Sequence, residues 1–181
     1  MELDYLKHLT RSDDAATVLD DMMRVYGQDV WRYAYFLTKR TDAADDISQD
    51  VFLKAYRKLA SFRGESSVRT WLLGIARHAS LNYMRTAFFR KVTLVDRIWS
   101  NENERSAEQA AMERLQTERI WDMVLSLPAK YREILILDAH YDCSEQEMAE
   151  LLGISRGTVK SRLHRARAKV EKLRKGEDHD A

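Results

Sequence analysis

The sequence predicts an all-α protein built as two small helical lobes on a tether, and three observations carry that expectation. Only six Gly and one Pro occur in 181 residues, too few for the tight turns of a strand-rich domain, and alternating Val/Ile/Thr runs are missing. Apolar residues recur instead at spacings of three and four. Basic residues also fall into two blocks far apart in sequence. Val68 to Val95 holds five bases and no acid, and Gly153 to Lys175 holds nine bases against Glu171 alone.

Composition bounds the rest. Hydrophobic residues make up 45% of the chain, and 30 Lys+Arg nearly balance 29 Asp+Glu, which favours a packed core over global disorder. No apolar run of about 20 residues is present to insert in a membrane. The single Cys143 can form neither an internal disulfide nor a cysteine zinc site, and the start MELDYLKHLT lacks the layout of a signal peptide. A reducing cytoplasm is the expected compartment.

In the first lobe, Val18, Met22, Val25 and Tyr26 form a helical stripe that Gly27 is expected to end, and Val30, Tyr33, Ala34 and Leu37 form a second. A third helix should start near Asp42 with Ile47, Val51, Phe52, Ala55 and Leu59 on one face. A fourth runs from about Ser67 to Phe88 on Leu72, Ile75, Ala76 and Ala79, after a loop, ASFRGESS, punctuated by Gly64. Four helices are expected here. The polar stretch from Asp96 to Arg119, with six acids and four bases, reads as linker.

In the second lobe, Ile120, Val124 and Leu127 run to Pro128, and Tyr131 to His140 forms a further helix. Ser144 and Glu147 have the spacing of a capping box, in which each side chain satisfies the other residue's backbone N–H. Ala149, the Gly153 turn and a helix from Arg156, with Val159, Leu163, Ala166 and Val170 inward, complete the layout of a helix-turn-helix. A major groove about 12 Å wide admits one such helix. Lys160, Ser161, His164 and Arg165 fall on its outer face as candidate base readers, and Arg156, Thr158 and Arg162 as candidate phosphate contacts. An isolated basic helix is usually only a solvated face. Here cap, small residue, Gly turn, stripe and charge coincide.

The fourth helix interleaves cations with rings: Arg69, Trp71, Arg77, His78, Tyr83, Arg85, Phe88, Phe89 and Arg90. Such a surface suits unstacked bases, because stacking on aromatics accepts any base while cations track the backbone. Trp71, beside Leu72 and Ile75, serves equally well as a packing residue. Asp42, Asp45, Asp46 and Asp50 could simply complement a helix dipole. Yet Asp46, Gln49 and Asp50 share a face opposite Ile47, Val51 and Ala55, where a protein could dock.

These segments resemble the small two-domain bacterial sigma factors of the extracytoplasmic-function group, in the sigma-70 family. The resemblance is carried by DAADDISQDVFLKAYRKLASFRG, TWLLGIARHASLNYMR, LPAKYREILIL and the helix-turn-helix from Ser144 to Val170, in that order. It implies a four-helix region 2 over 14–91, a linker over 92–119 and a region 4 over 120–175, with tails at 1–13 and 176–181. It also implies that Asp45, Asp46, Gln49, Asp50, Phe52, Lys54 and Arg57 grip the coiled coil of the largest subunit of RNA polymerase core. Ser61, Phe62 and Arg63, in the pocket loop, would with Trp71, Arg77, His78 and Asn82 take the opened -10 strand. The base readers named above would address the -35 duplex of promoter DNA. Many relatives carry Asn where this chain has His78. The form resembled is the minimal two-domain one, and an anti-sigma partner is expected from the resemblance alone.

The tether of roughly 28 residues could extend to about 90 Å, more than the 34 to 36 Å of one duplex turn, so both lobes could engage separated elements. The alternative is a helix-turn-helix repressor or activator that dimerises without polymerase. An enzyme finds no support, because no zinc-deaminase motif, G-x-S-x-G or Walker loop occurs. His8, His78, His140, His164 and His179 are scattered without ligand spacing, so no metal or cofactor is expected.

Overall fold

The computed structural model describes residues 15–59, 62, 64–93 and 111–177. Seven α-helices and no strand occur among them: α1 Ala15–Thr38, α2 Thr41–Lys58, α3 Val68–Thr93, α4 Ala111–Ser126, α5 Ala129–Ala139, α6 Glu145–Leu152 and α7 Arg156–Glu177. The first three make one lobe and the last four the other.

Helix α1 corrects the sequence reading, because the two expected stripes form one uninterrupted helix and the lobe has three helices among the described residues. A Gly inside a helix costs only about 1 kcal/mol against Ala. Val18, Met22, Val30, Tyr33, Ala34 and Leu37 are all buried on one side, and their packing outweighs that cost. Val25 is 54% exposed and does not belong to the stripe. The helix ends instead at Lys39, a non-glycine residue in the left-handed region (φ 57°), whose N–H reaches the Tyr35 carbonyl at 2.7 Å.

Helix α2 buries Ala43, Ala44, Ile47, Val51, Phe52 and Ala55 against α1 and α3. Helix α3 opens on Ser67, whose hydroxyl accepts from the Thr70 N–H at 3.0 Å, as an N-cap does. It buries Leu72, Leu73, Ala76 and Ala79. A second departure concerns the expected linker: α3 continues to Thr93 and α4 already begins at Ala111. Four of the nine residues in 111–119 are charged and none is Gly or Pro, so nothing there breaks a helix and only the sparse apolar spacing concealed it. Ile120, expected inward, is 53% exposed at the rim of an apolar groove of about 350 Å³ between α4, α5 and α7.

In the second lobe the capping box at Ser144 and Glu147 is complete in both directions. Gly153 ends α6 in the left-handed region (φ 66°), and the next N–H, of Ile154, reaches back to the Ala149 carbonyl at 3.0 Å, the Schellman closure. Val159, Leu163 and Ala166 of α7 are buried with Met148, Ala149 and Leu152 of α6. A single core cluster runs through both lobes, because α5 and the turn after it pack on α1 and α3.

Candidate nucleic-acid interface

Helix α7 is positioned by three devices. Ser155 caps it, accepting from the Thr158 N–H at 3.2 Å, its apolar stripe is buried on α6, and Arg167 pairs with Asp138 of α5 at 2.7 Å. The opposite face is left to solvent. Arg156, Lys160, Ser161, His164 and Arg165 are exposed there, and Thr158 and Arg162 are half-buried at its edge. Glu145, at the start of α6, lies 3.6 Å from both Arg156 and Lys160. One carboxylate thus faces two of the candidate cations, a contact the sequence reading missed because it looked only along α7.

The aromatic and cationic face of α3 is divided. His78 and Asn82 are exposed. The Asn82 amide oxygen accepts from Arg85 at 3.2 Å. The Nδ1 of His78 lies 3.0 Å from the Gly74 carbonyl. A carbonyl can only accept, so Nδ1 is the donor and Nε2 faces outward. Trp71 is half-buried on the core and meets Phe62 with ring centroids 4.9 Å apart at 47°, which joins the loop to α3. Ser61 and Arg63 lie outside the described residues. Arg77 differs from all of these. Its guanidinium is turned under the second lobe onto Glu133, at 2.8 Å.

On α2, Asp46, Gln49 and Arg57 are exposed, and Asp50 pairs with Lys54 one turn on. Asp45 accepts from the Trp31 indole N–H at 2.7 Å, so part of its bonding capacity is already used within the lobe. Phe52 is 3% exposed; it packs in the core and offers no surface to a partner. The acidic face does include Leu53 and Tyr56, at 51% and 38% exposure. The sequence reading missed both. Their signal was an apolar pair on the polar side of an otherwise clean stripe.

Around the lobe boundary burial dominates the chemistry. It lifts the Tyr33 hydroxyl well above its ordinary range, helped by the neighbouring Glu133 carboxylate, and it lowers Arg132 against the opposing charge of Glu133. His140 is pushed down by burial and by Arg32 and Arg69, against the raising charge of Asp29. No cluster of His, Cys, Asp or Glu suited to a metal ion occurs among the described residues, and no helix among them is long and apolar enough to cross a membrane.

A capped helix-turn-helix beside a bundle bearing an aromatic and cationic helix defines a promoter-recognising protein, and comparison with known proteins agrees. The family described as Sigma-70 region 2 matches residues 22–88, and Sigma-70, region 4 matches residues 117–170. The chain is 35% identical over 159 residues to RNA polymerase sigma factor YlaC of Bacillus subtilis, covering 85% of this chain and 90% of that one. It is 32% identical over 149 residues to ECF RNA polymerase sigma factor SigC of Mycobacterium tuberculosis, covering 82% and 79%. The solved structure of sigma factor RpoE in complex with the anti-sigma factor NepR, from Bartonella quintana, matches with a TM-score of 0.71 at 28% identity, over 86% of this chain and 96% of that one. CnrH in complex with the cytosolic domain of CnrY shares the fold, with a TM-score of 0.67 at 24% identity, over 98% and 97%. The chain belongs to the extracytoplasmic-function sigma factors of the sigma-70 family. That membership sets aside the dimerising repressor.

Proposed function

We propose that this chain directs RNA polymerase core to its promoters with three surfaces that act on different targets. The outer face of α7 addresses the -35 duplex: Lys160, Ser161, His164 and Arg165 reach base edges, while Arg156, Thr158 and Arg162 fix register on phosphates. The observation that carries the reading is that these side chains are the uncovered side of a helix whose other side is buried on α6. Helix α3 and its preceding loop take the -10 strand once it is open. Phe62 and Trp71 line the entrance, His78 and Asn82 offer hydrogen bonds to a base, and Arg77 is the cation for the backbone. Holding a flipped base offsets the few kcal/mol of stacking and pairing lost on opening, so the chain traps melted DNA and polymerase performs all the chemistry.

The α2 face formed by Asp46, Gln49, Asp50, Lys54 and Arg57, now with Leu53 and Tyr56 and without Phe52, is the docking surface for the coiled coil of the largest polymerase subunit. Asp45 contributes at its edge through whatever Trp31 leaves free. The working place is the cytoplasm, where core and promoter are found. An anti-sigma protein is the expected antagonist, as RpoE has in its solved complex with NepR. Run-off transcription with purified core on a genomic promoter library tests the whole reading. Initiation at a defined promoter set is expected only when the chain is added, and no added initiation would overturn it.

A further inference from the structure

We propose that Glu145 is an internal stand-in for DNA phosphate: it faces two cations of α7 and lowers the affinity of the second lobe for every duplex by a sequence-independent amount. This rests on the duplex-binding role given above to α7.

One carboxylate oxygen of Glu145 lies 3.6 Å from the Arg156 guanidinium and 3.6 Å from the Lys160 ammonium. Arg156 opens α7 and Lys160 stands one turn on, so this oxygen sits against the first turn of a helix that carries no acid there itself. The other acids of α6 are engaged elsewhere. Glu147 closes the cap of α6 and takes the Thr70 hydroxyl, and Glu150 accepts from the Gln146 amide. Glu145 takes no part in the cap. An acid in the first turn of α6 suits the dipole of that helix, but the dipole does not set it between the cations of another.

A guanidinium or ammonium that faces a carboxylate would meet a phosphate on the same terms, and it cannot neutralise both at full strength. Binding to duplex draws on the counterions released when protein cations take their places on phosphates. Arg156 and Lys160 contribute less to that release while Glu145 faces them. The arrangement is also easily undone. Both contacts are longer than the roughly 2.7 to 2.9 Å of a charge-assisted hydrogen bond, and the two cationic side chains are 62% and 65% exposed. A phosphate can therefore displace the carboxylate, and freeing Lys160 costs the same whichever base it then meets. Arbitrary duplex loses its hold while preference among sequences is kept. Non-specific sites outnumber promoters by on the order of a millionfold or more in a genome, so weaker arbitrary binding leaves more of the chain free to search.

The test is fluorescence anisotropy of the full chain on several unrelated short duplexes across a range of salt, with helix content followed by circular dichroism. Glu145→Gln removes the charge and keeps the shape. It should tighten binding about three- to tenfold at low salt, by the same factor on each duplex, and steepen the logarithmic salt slope by about one. In a chain carrying Arg156→Ala and Lys160→Ala, the same change should bring a smaller gain, because the cations in dispute are gone. An unchanged, undetectable or weaker affinity overturns the proposal, as does a gain confined to one sequence. An undiminished gain in the doubly substituted chain also overturns it, by assigning the effect to net charge alone. Run-off transcription decides the promoter-directing function separately, and a negative result for Glu145 leaves that function standing.

Discussion

The hydroxyl of Thr70 donates to one oxygen of Glu147 at 2.9 Å, so the carboxylate that completes the cap of α6 also joins the lobes. Its other oxygen takes the Ser144 N–H at 2.9 Å and hydroxyl at 2.8 Å. Burial pushes this carboxyl up, but the hydrogen bonds from Ser144 and Thr70 and the charge of Arg69 outweigh it and hold the pKa below the ordinary 4.5. A depressed folded value means stability that is complete above about 4.5 and is lost as pH falls through the lower folded value. Resistance to urea should therefore fall across that acid window. Glu147→Gln keeps an oxygen that can close the capping box and loses only the carboxylate charge, so it should be slightly weaker at neutral pH, with a flatter acid slope. An unchanged slope in the variant would assign the acid sensitivity elsewhere.

Local signals were legible and long-range ones were not. The capping box, the Gly153 turn and the exposed face of α7 follow from spacings of three and four, which the chain cannot realise in another way once helical. Glu133 and Arg132 offered no such signal. Charged residues are rarely buried unless paired, and the partners Tyr33, Arg77 and Leu37 lie 100, 56 and 95 residues away. Nothing in the sequence of α5 marks them as inward. Phe52 was misplaced because a resemblance transfers positions without burial, although the residue's place on the Ile47 and Val51 stripe already pointed to the core.

Arg165 is exposed on α7 with its neighbours Lys160, Ser161 and His164 on the same side. Arg165→Ala should weaken promoter-specific initiation by about 1 to 3 kcal/mol and relax preference at one -35 base. Initiation measured on a promoter set varied at each -35 position decides it. Equal loss on every sequence would make Arg165 a phosphate contact.

The α2 face mixes carboxylates with apolar side chains, which predicts two separable effects on polymerase binding. Reversing Asp46 and Asp50 to Lys should slow association with core on the order of tenfold at low salt, and the difference should shrink as salt screens it. Leu53→Ala should instead speed dissociation at every salt concentration. Kinetics on immobilised core, with helix content checked, would expose the acidic face as a mere dipole partner if Asp46 and Asp50 prove dispensable.

Cys143 is the chain's one thiol and lies buried in the turn after α5, 8% exposed. Burial, with Glu147 nearby, pushes its pKa from 9.0 up to about 11, so the reactive thiolate is about a hundredfold scarcer at neutral pH than for a free group. A disulfide reagent should modify the native chain at least that much more slowly than the urea-unfolded chain. Equal rates in the two states would show that the turn does not shield the sulfur.

Gly27 and Gly153 put the backbone reading of the fold to a single chemical test with opposite expected signs. Gly27 sits inside the uninterrupted α1, and a Cβ there meets no atom within 4 Å. Gly27→Ala should therefore stabilise the chain by about 0.5 to 1 kcal/mol, because Ala has less unfolded-state freedom to lose. That corresponds to roughly 1 to 4 °C in melting temperature for a chain of this length. Gly153 also has open space around its Cβ, but its φ is +66°. Gly153→Ala should cost about 1 to 2 kcal/mol from conformation alone and loosen the turn that sets α7 against α6. Crowding cannot explain a difference between two uncrowded sites. If both substitutions shift the thermal midpoint in the same direction, either α1 is broken at Gly27 or the α6 turn does not need the left-handed residue.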